Sequence, residues 1–270
     1  MEDTLLGTTV DDVLGELFDG DHEEIFVVNP TDETIERVVE TAMDDEPRIR
    51  MLADERRLKD AMDDFLVASD TAELLEDGQL AMRTVEDASR SSLLVTEDET
   101  VALVDAGDHV GGIVASDADF ADTAYDAVVE DWESADEFDL DTPALSRIRQ
   151  ALDDETGPEV EEDFETALAS LETARGDGDS LDEVTISLLT AAKNRVLFYD
   201  ISEWGEEVGV ASKATFSRKK SSLEDVGLLE TEKVPMDVGR PRLRLTLGDE
   251  RLEGASMTEV VNTAESLLAS

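Results

Sequence analysis

Residues 23–29, EEIFVVN, form a compact apolar run, and a stretch of helical period separates it from residues 48–54, RIRMLAD, a second short strand-like segment. Runs this short read as buried strands, and few folds admit the succession. Between them Thr31 stands where it can cap a helix through Met43, although Thr34 holds the third helical position, where a capping box prefers Glu. Residues 55–77 are again helical and end at Gly78. LAMRTV (80–85), SSLLVTED (91–98), TVALVDAG (100–107) and HVGGIVAS (109–116) read as further strands, with hairpin turns near 98–99 and at 108. A short amphipathic helix over 9–18 precedes this series, and a helix over 117–138 closes it. Strand, helix, strand, helix and then a meander predict an α/β domain with a mixed sheet over residues 1–138.

The pattern then changes. Residues 139–179 read as an acidic helical connector: Pro143 opens one segment, Gly157 and Pro158 break it, and GDGD at 176–179 is a linker. Ser180 and Glu183 have capping-box spacing ahead of the stripe Leu181, Val184, Leu188 and Ala191. ISEWGEEVGV (201–210) reads as a short helix with Ser202 as its cap, Trp204 and Val208 inward, and Gly209 at the turn. Ser212 caps the next helix, which ends at Gly227 and carries Phe216, Leu223 and Val226 on one face. Residues 228–234 and 241–247 read as two strands, with Leu243, Leu245 and Leu247 alternating with polar residues. Helix, helix, tight turn, helix and hairpin is the order of a winged helix-turn-helix, so residues 180–248 are expected to form a mainly α domain of that kind. Residues 249–270 supply a C-terminal amphipathic helix.

Charge singles out one stretch. The 270-residue chain carries 70 Asp and Glu against 22 Lys and Arg, a formal net charge of −48. Acid spread over every segment points to a halophilic cytosol, where molar salt screens charge beyond about 3 Å. Yet residues 209–247 hold eight Lys and Arg against five Asp and Glu, a net of +3. A recognition helix offers its N-terminal residues to base edges in the major groove. With Phe216, Leu223 and Val226 inward, the outward face holds Ala214, Ser217, Arg218 and Ser221, bordered by Lys213. Small and hydroxylated residues let the bases approach, and Arg218 can grip a guanine edge with two hydrogen bonds. Ser212 and the helix N-terminus suit a phosphate. Lys219 and Lys220 are expected to snorkel to the DNA backbone. Arg240 at the wing tip, with Arg242 and Arg244 along one strand, is expected to meet the adjacent backbone or minor groove. The partner implied is double-stranded promoter DNA.

The run from Tyr199 to Gly248, YDISEWGEEVGVASKATFSRKKSSLEDVGLLETEKVPMDVGRPRLRLTLG, resembles the C-terminal region of haloarchaeal TbsP-like transcriptional regulators, and SRIRQALDDETGPEVEEDF before it is similar too. The resemblance covers most of the chain and is densest over 141–247. It implies a DNA-binding regulator of archaeal genes of central carbon metabolism, glycolytic and gluconeogenic.

The N-terminal domain is expected to sense a metabolite effector or to dimerise, and Gly111 and Gly112 in one of its strands mark a close approach or a bulge. The stripes Val160, Phe164, Leu168 and Leu171, and Val260, Val261, Leu267 and Leu268, need a cover. A second copy would supply it and would place a homodimer on a pseudo-palindromic site; the rest of the chain is the other cover. Enzymatic chemistry finds little to work with. There is no Cys, no phosphate-binding glycine loop, and His22 and His109 stand in no triad or metal spacing. No catalytic residue, metal or cofactor is expected. An N-terminus without a basic and apolar leader, and no apolar run long enough for a membrane, predict a cytoplasmic protein. Two alternatives stay open: an α/β ligand-binding or protein-interaction protein whose winged helix makes protein contacts, and a scaffold that meets the transcription machinery through its acidic surface.

Overall fold

The structure is a computed structural model that describes residues 9–268 except 21, 44–46, 86–90, 106, 108, 175–180, 237–240 and 253. It divides into two compact units, Met1–Ala144 and Leu145–Ser270.

The first unit is an α/β fold around a seven-stranded mixed sheet. Its elements are α1 (Val10–Phe18), β1 (Glu24–Val28), α2 (Asp32–Ala42), β2 (Arg48–Ala53), α3 (Glu55–Ala61), α4 (Phe65–Glu76), β3 (Leu80–Thr84), β4 (Leu93–Val95), β5 (Thr100–Asp105), β6 (Val110–Ala115), α5 (Ala118–Ser134) and β7 (Asp136–Glu137). The strand order is β6-β5-β4-β1-β2-β3-β7. β1, β2 and β3 run parallel, while β4, β5, β6 and β7 join antiparallel.

Burial on both faces explains the apolar run of residues 25–28 in β1. Ile25 and Val27 of β1 face a core with Val13 and Leu14 of α1 and Ile35 and Val38 of α2. Phe26 and Val28 face the opposite way, into a smaller core with Val128 and Trp132 of α5. Arg50 lies over the rings of Phe26 and Trp132, at 5.4 and 5.5 Å, and pairs with Glu24 at 2.6 Å.

Two expectations need correction. Residues 55–77 form two helices, because the Asp64 carboxylate accepts from Leu66 and Val67 N–H at 2.9 and 3.2 Å and so starts α4 afresh. β7 also escaped the sequence reading, since two acidic residues carry no apolar alternation. They add to β3 through Arg83↔Glu137 and Thr84↔Asp136.

The second unit holds α6 (Leu145–Thr156), α7 (Pro158–Ala174), α8 (Glu183–Lys193), α9 (Phe198–Val208), α10 (Lys213–Asp225), the hairpin β8 (Leu229–Val234) and β9 (Arg242–Leu247), and α11 (Met257–Leu268). Gly157, at φ +95, separates α6 from α7. Both acidic helices are part of this unit's packing: α6 lies on α7 and α9, and α7 on α8 and α11. Val160, Phe164 and Leu168 of α7 and Val260 and Val261 of α11 are buried within the single chain. Those five residues are therefore covered by their own unit, and Leu267 is half-buried. Leu268 is exposed, and the side chain of Leu171 lies outside the described residues.

Candidate nucleic-acid interface

Three helices and a hairpin build the site. α8 is the buried strut: Val184, Ile186, Leu188, Leu189 and Ala191 are all sequestered. Its cap is Asp182, whose carboxylate accepts from Thr185 N–H at 2.8 Å and from the Thr185 hydroxyl at 2.6 Å. The expected box of Ser180 with Glu183 is not the cap, and Ser180 lies outside the described residues. α9 begins one turn earlier than expected, at Phe198 after Leu197, with no side-chain cap. Ser202 is inside that helix and donates to Tyr199 O at 3.1 Å. The start of α9 is held to the hairpin instead: Leu197 bridges Arg244, and Leu245 N–H donates to Val196 O at 2.9 Å.

α9 and α10 cross at Gly205. A Cβ at this position would stand 2.3 Å from the Phe216 ring, so only glycine admits the ring. Trp204 beside it is buried and meets Phe164 of α7 edge-on at 6.1 Å. Gly209, at φ 92, closes α9, and the Ser212 hydroxyl accepts from Thr215 N–H at 3.2 Å to open α10.

On α10 the buried stripe is Phe216, Lys220 and Leu223. Val226 is not part of it. The helix stops at Asp225, and Gly227 at φ +77 turns the chain, with Gly227 N–H on Glu224 O and Leu228 N–H on Leu223 O, both at 3.0 Å. This ending sends Leu228 inward and leaves Val226 44% exposed. Opposite the stripe, Ser212, Ala214, Ser217, Arg218 and Ser221 are exposed together.

The cations divide sharply. Arg218 makes one hydrogen bond, to the Thr215 hydroxyl at 3.3 Å, and no ion pair among the described residues. The three lysines of the helix are held by carboxylates. Lys213 sits between Glu203 and Glu206 at 3.4 and 3.3 Å and lies 5.7 Å from the Tyr199 ring centre. Desolvation pulls its pKa down, but hydrogen bonds to Glu206 and Glu203 outweigh that and raise it. Lys219 pairs with Asp182, tying α10 to the cap of α8. Lys220 was expected to snorkel to the DNA backbone. It is 8% exposed, bonds to Glu224 at 2.6 Å and lies 5.7 Å from the Phe198 ring centre. Its place one turn after Phe216 puts it in the buried stripe, so it serves packing.

In the hairpin, Arg242 stacks over the Tyr199 ring at 4.3 Å and bonds to Asp200 at 3.1 Å. Arg244 stands opposite Glu232 in the strand register. Arg240 lies outside the described residues. Sequence reasoning missed Tyr199, Glu203, Glu206, Asp200 and Asp182. In a chain this acidic no single carboxylate stands out, and only the folded arrangement shows which ones face a cation.

Asp182 gives a testable consequence. Burial pushes its pKa up, but hydrogen bonds from Lys219 and Thr185 outweigh burial and hold it below its ordinary value. A depressed folded-state pKa contributes stability above the unfolded value of about 3.9, and that contribution is lost as pH falls through the folded value. Asp182→Ala is expected to destabilise the second unit by about 1–2 kcal/mol at neutral pH. The gap to wild type should shrink at acid pH. Urea melts followed by Trp204 fluorescence in a Trp132→Phe background measure both; a gap independent of pH would refute the assignment.

Comparison with known proteins gives two family matches. Residues 2–143 match the N-terminal domain of TbsP-like transcriptional regulators, and residues 144–265 match their C-terminal helix-turn-helix domain. No curated protein matches. Among solved structures the chain is similar to TrmBL2, described as an archaeal chromatin protein with a novel mode of DNA binding. The identity is 11% and the TM-score 0.37, over 51% of this chain and 55% of that one. The chain thus spans about half the length of that relative. None of its described helices is long and apolar enough to cross a membrane. With both halves matched by the two domains of one family, the chain belongs to the TbsP-like transcriptional regulators.

Proposed function

We propose that the protein binds promoter DNA sequence-specifically, with α10 as the recognition helix. One observation carries the reading: the exposed face of Ser212, Ala214, Ser217, Arg218 and Ser221 is polar, closely approachable and led by the one α10 cation without a carboxylate partner among the described residues. Arg218 reads a guanine edge, and Ser212 with the helix N-terminus takes a phosphate. Lys213, Lys219, Arg242 and Arg244 contribute to backbone contact from the flanks, and Arg240 from the wing tip. The N-terminal α/β unit senses a metabolite effector or dimerises, and the family resemblance implies that the genes controlled are those of central carbon metabolism. Net charge −48 fits a salt-rich cytosol. There the electrostatic part of DNA affinity is small, and base contacts supply more of it.

Retention of genomic fragments by the purified protein in molar KCl tests this. Enrichment of a few promoter fragments is expected; uniform retention, or none at any salt, would overturn it. The paired lysine makes a second prediction. Glu203→Gln with Glu206→Gln frees Lys213 and removes two negative charges beside the DNA face. Affinity measured by fluorescence anisotropy should rise about eightfold at 0.1 M salt, the counterion release of one phosphate. Unchanged affinity would place Lys213 away from the DNA.

A further inference from the structure

We infer that two copies of this chain pair through β6, joining their N-terminal sheets edge to edge into a homodimer. The sheet's two edges are built differently. β7 is two residues long and acidic, and short charged edges resist strand addition. β6 is six residues long, VGGIVA, without a charge or a proline. Among the described residues no strand pairs with its outer side.

The face beside that edge is apolar and open. Val104 opposes Gly111 and Ala102 opposes Ile113 in the β5–β6 register, so Val104 and Ile113 are diagonal neighbours on one face. They are 44% and 58% exposed. Gly111 adds a third observation. A Cβ there would meet nothing within 4 Å and its φ is not positive, so neither the packing nor the backbone of its own chain asks for glycine. A glycine in a strand costs stability and often marks a bulge, a bend or the close approach of a ligand or another backbone, and the unbroken β5–β6 register through Gly111 holds no bulge.

Charge selects the occupant. Molar salt screens charge beyond about 3 Å, but carboxylates pressed into direct contact still oppose each other, and copies that carry −48 each offer few faces without them. An uncharged strand edge is the surface on which they touch without opposing like charges, whereas a basic partner is drawn to the acidic faces instead. Antiparallel pairing about a two-fold axis sets residues of the same face opposite each other. Ile113 then lies against Ile113 or Gly111 of the second copy and is withdrawn from water. The stripes of α7 and α11 that first suggested a dimer are buried at home, so the interface lies on the other unit. The inference is independent of which DNA the protein reads.

Light scattering on size-separated protein in molar KCl, over a wide concentration range, tests it. The wild type is expected at twice the 29.5 kDa chain mass. Ile113→Lys should give the single-chain mass at the same concentrations, with an unchanged circular dichroism spectrum, and Leu268→Lys on α11 should stay dimeric. Hydrogen exchange on wild type needs no variant: amides of residues 110–115 should exchange more slowly as concentration rises. A wild type of single-chain mass at every concentration would overturn the inference. So would a dimeric Ile113→Lys, loss of the dimer in Leu268→Lys alone, or concentration-independent exchange at β6. The Ile113→Lys monomer should still bind a half-site, which separates failure of this interface from failure of the DNA reading.

Discussion

Gly205→Ala is expected to destabilise the second unit by about 2 kcal/mol or more and to abolish specific DNA binding. The added Cβ would stand 2.3 and 2.4 Å from two atoms of the Phe216 ring, distances no packed Cβ tolerates. Phe216 is fully buried, so the ring has no solvent to yield into. Overpacking of this kind costs about 1–3 kcal/mol and occasionally more. The gain in helix propensity from glycine to alanine, about 1 kcal/mol, only partly offsets it. Relief comes by moving α10 away from α9, which tilts the face that carries Arg218. Gly15→Ala supplies the control, because a Cβ at Gly15 in α1 meets nothing within 4 Å. That variant should be stabilised by up to about 1 kcal/mol. Denaturant melts of the two variants, read alongside DNA retention, should move in opposite directions. If Gly205→Ala were stabilised like Gly15→Ala, the close crossing of α9 and α10 would not exist.

Arg218→Ala is expected to remove about 1–3 kcal/mol of discrimination, roughly five- to 150-fold in the ratio of specific to non-specific affinity. The side chain is exposed, near the middle of α10, and held only by Thr215. Its loss therefore leaves the fold intact. Two measurements separate base reading from phosphate contact. The ratio of affinities for enriched and random fragments should collapse in Arg218→Ala, while the slope of log affinity against log salt changes by about one at most. Lys213→Ala should do the reverse, weakening all sequences alike, and by less than a solvent-free lysine would, since Glu203 and Glu206 already compensate it. A wild-type affinity ratio in Arg218→Ala would remove α10 from base recognition.

Much of the architecture was legible in the chain because period and burial are coupled. The run of residues 25–28 is apolar because both sheet faces are covered, and the alternation Leu243, Leu245, Leu247 marks a strand whose leucines share one face. Caps were legible where a hydroxyl directly precedes a periodic stretch, as at Thr31 and Ser212. They were misplaced where several acceptors crowd one boundary. Asp182 outcompetes its neighbours for α8, and Asp64 restarts a helix in the middle of a stretch that reads as one. In an acidic sequence the supply of acceptors exceeds the number of helix starts.

The candidate site was legible in outline only. Counting charge located the basic stretch and helical spacing set Ala214, Ser217, Arg218 and Ser221 outward, because both follow from local sequence. Glu224, four residues beyond Lys220, is a partner that helical spacing could have shown, but local sequence could not tell Arg218 from Lys213 and Lys219. Their partners arrive from α9 and from the cap of α8, and a side chain's electrostatic state depends on neighbours distant in the chain. The same reason hid Gly205. Its glycine carries no signal in the sequence, and its necessity appears only when the Phe216 ring is brought against it. Sequence by itself determined most of the elements and the basic helix, since propensity, period and charge are local. Tertiary structure alone decided where the two units divide, which cation of α10 is left without a carboxylate, where two helices touch and which sheet edge stays open, since each depends on elements that only folding brings together.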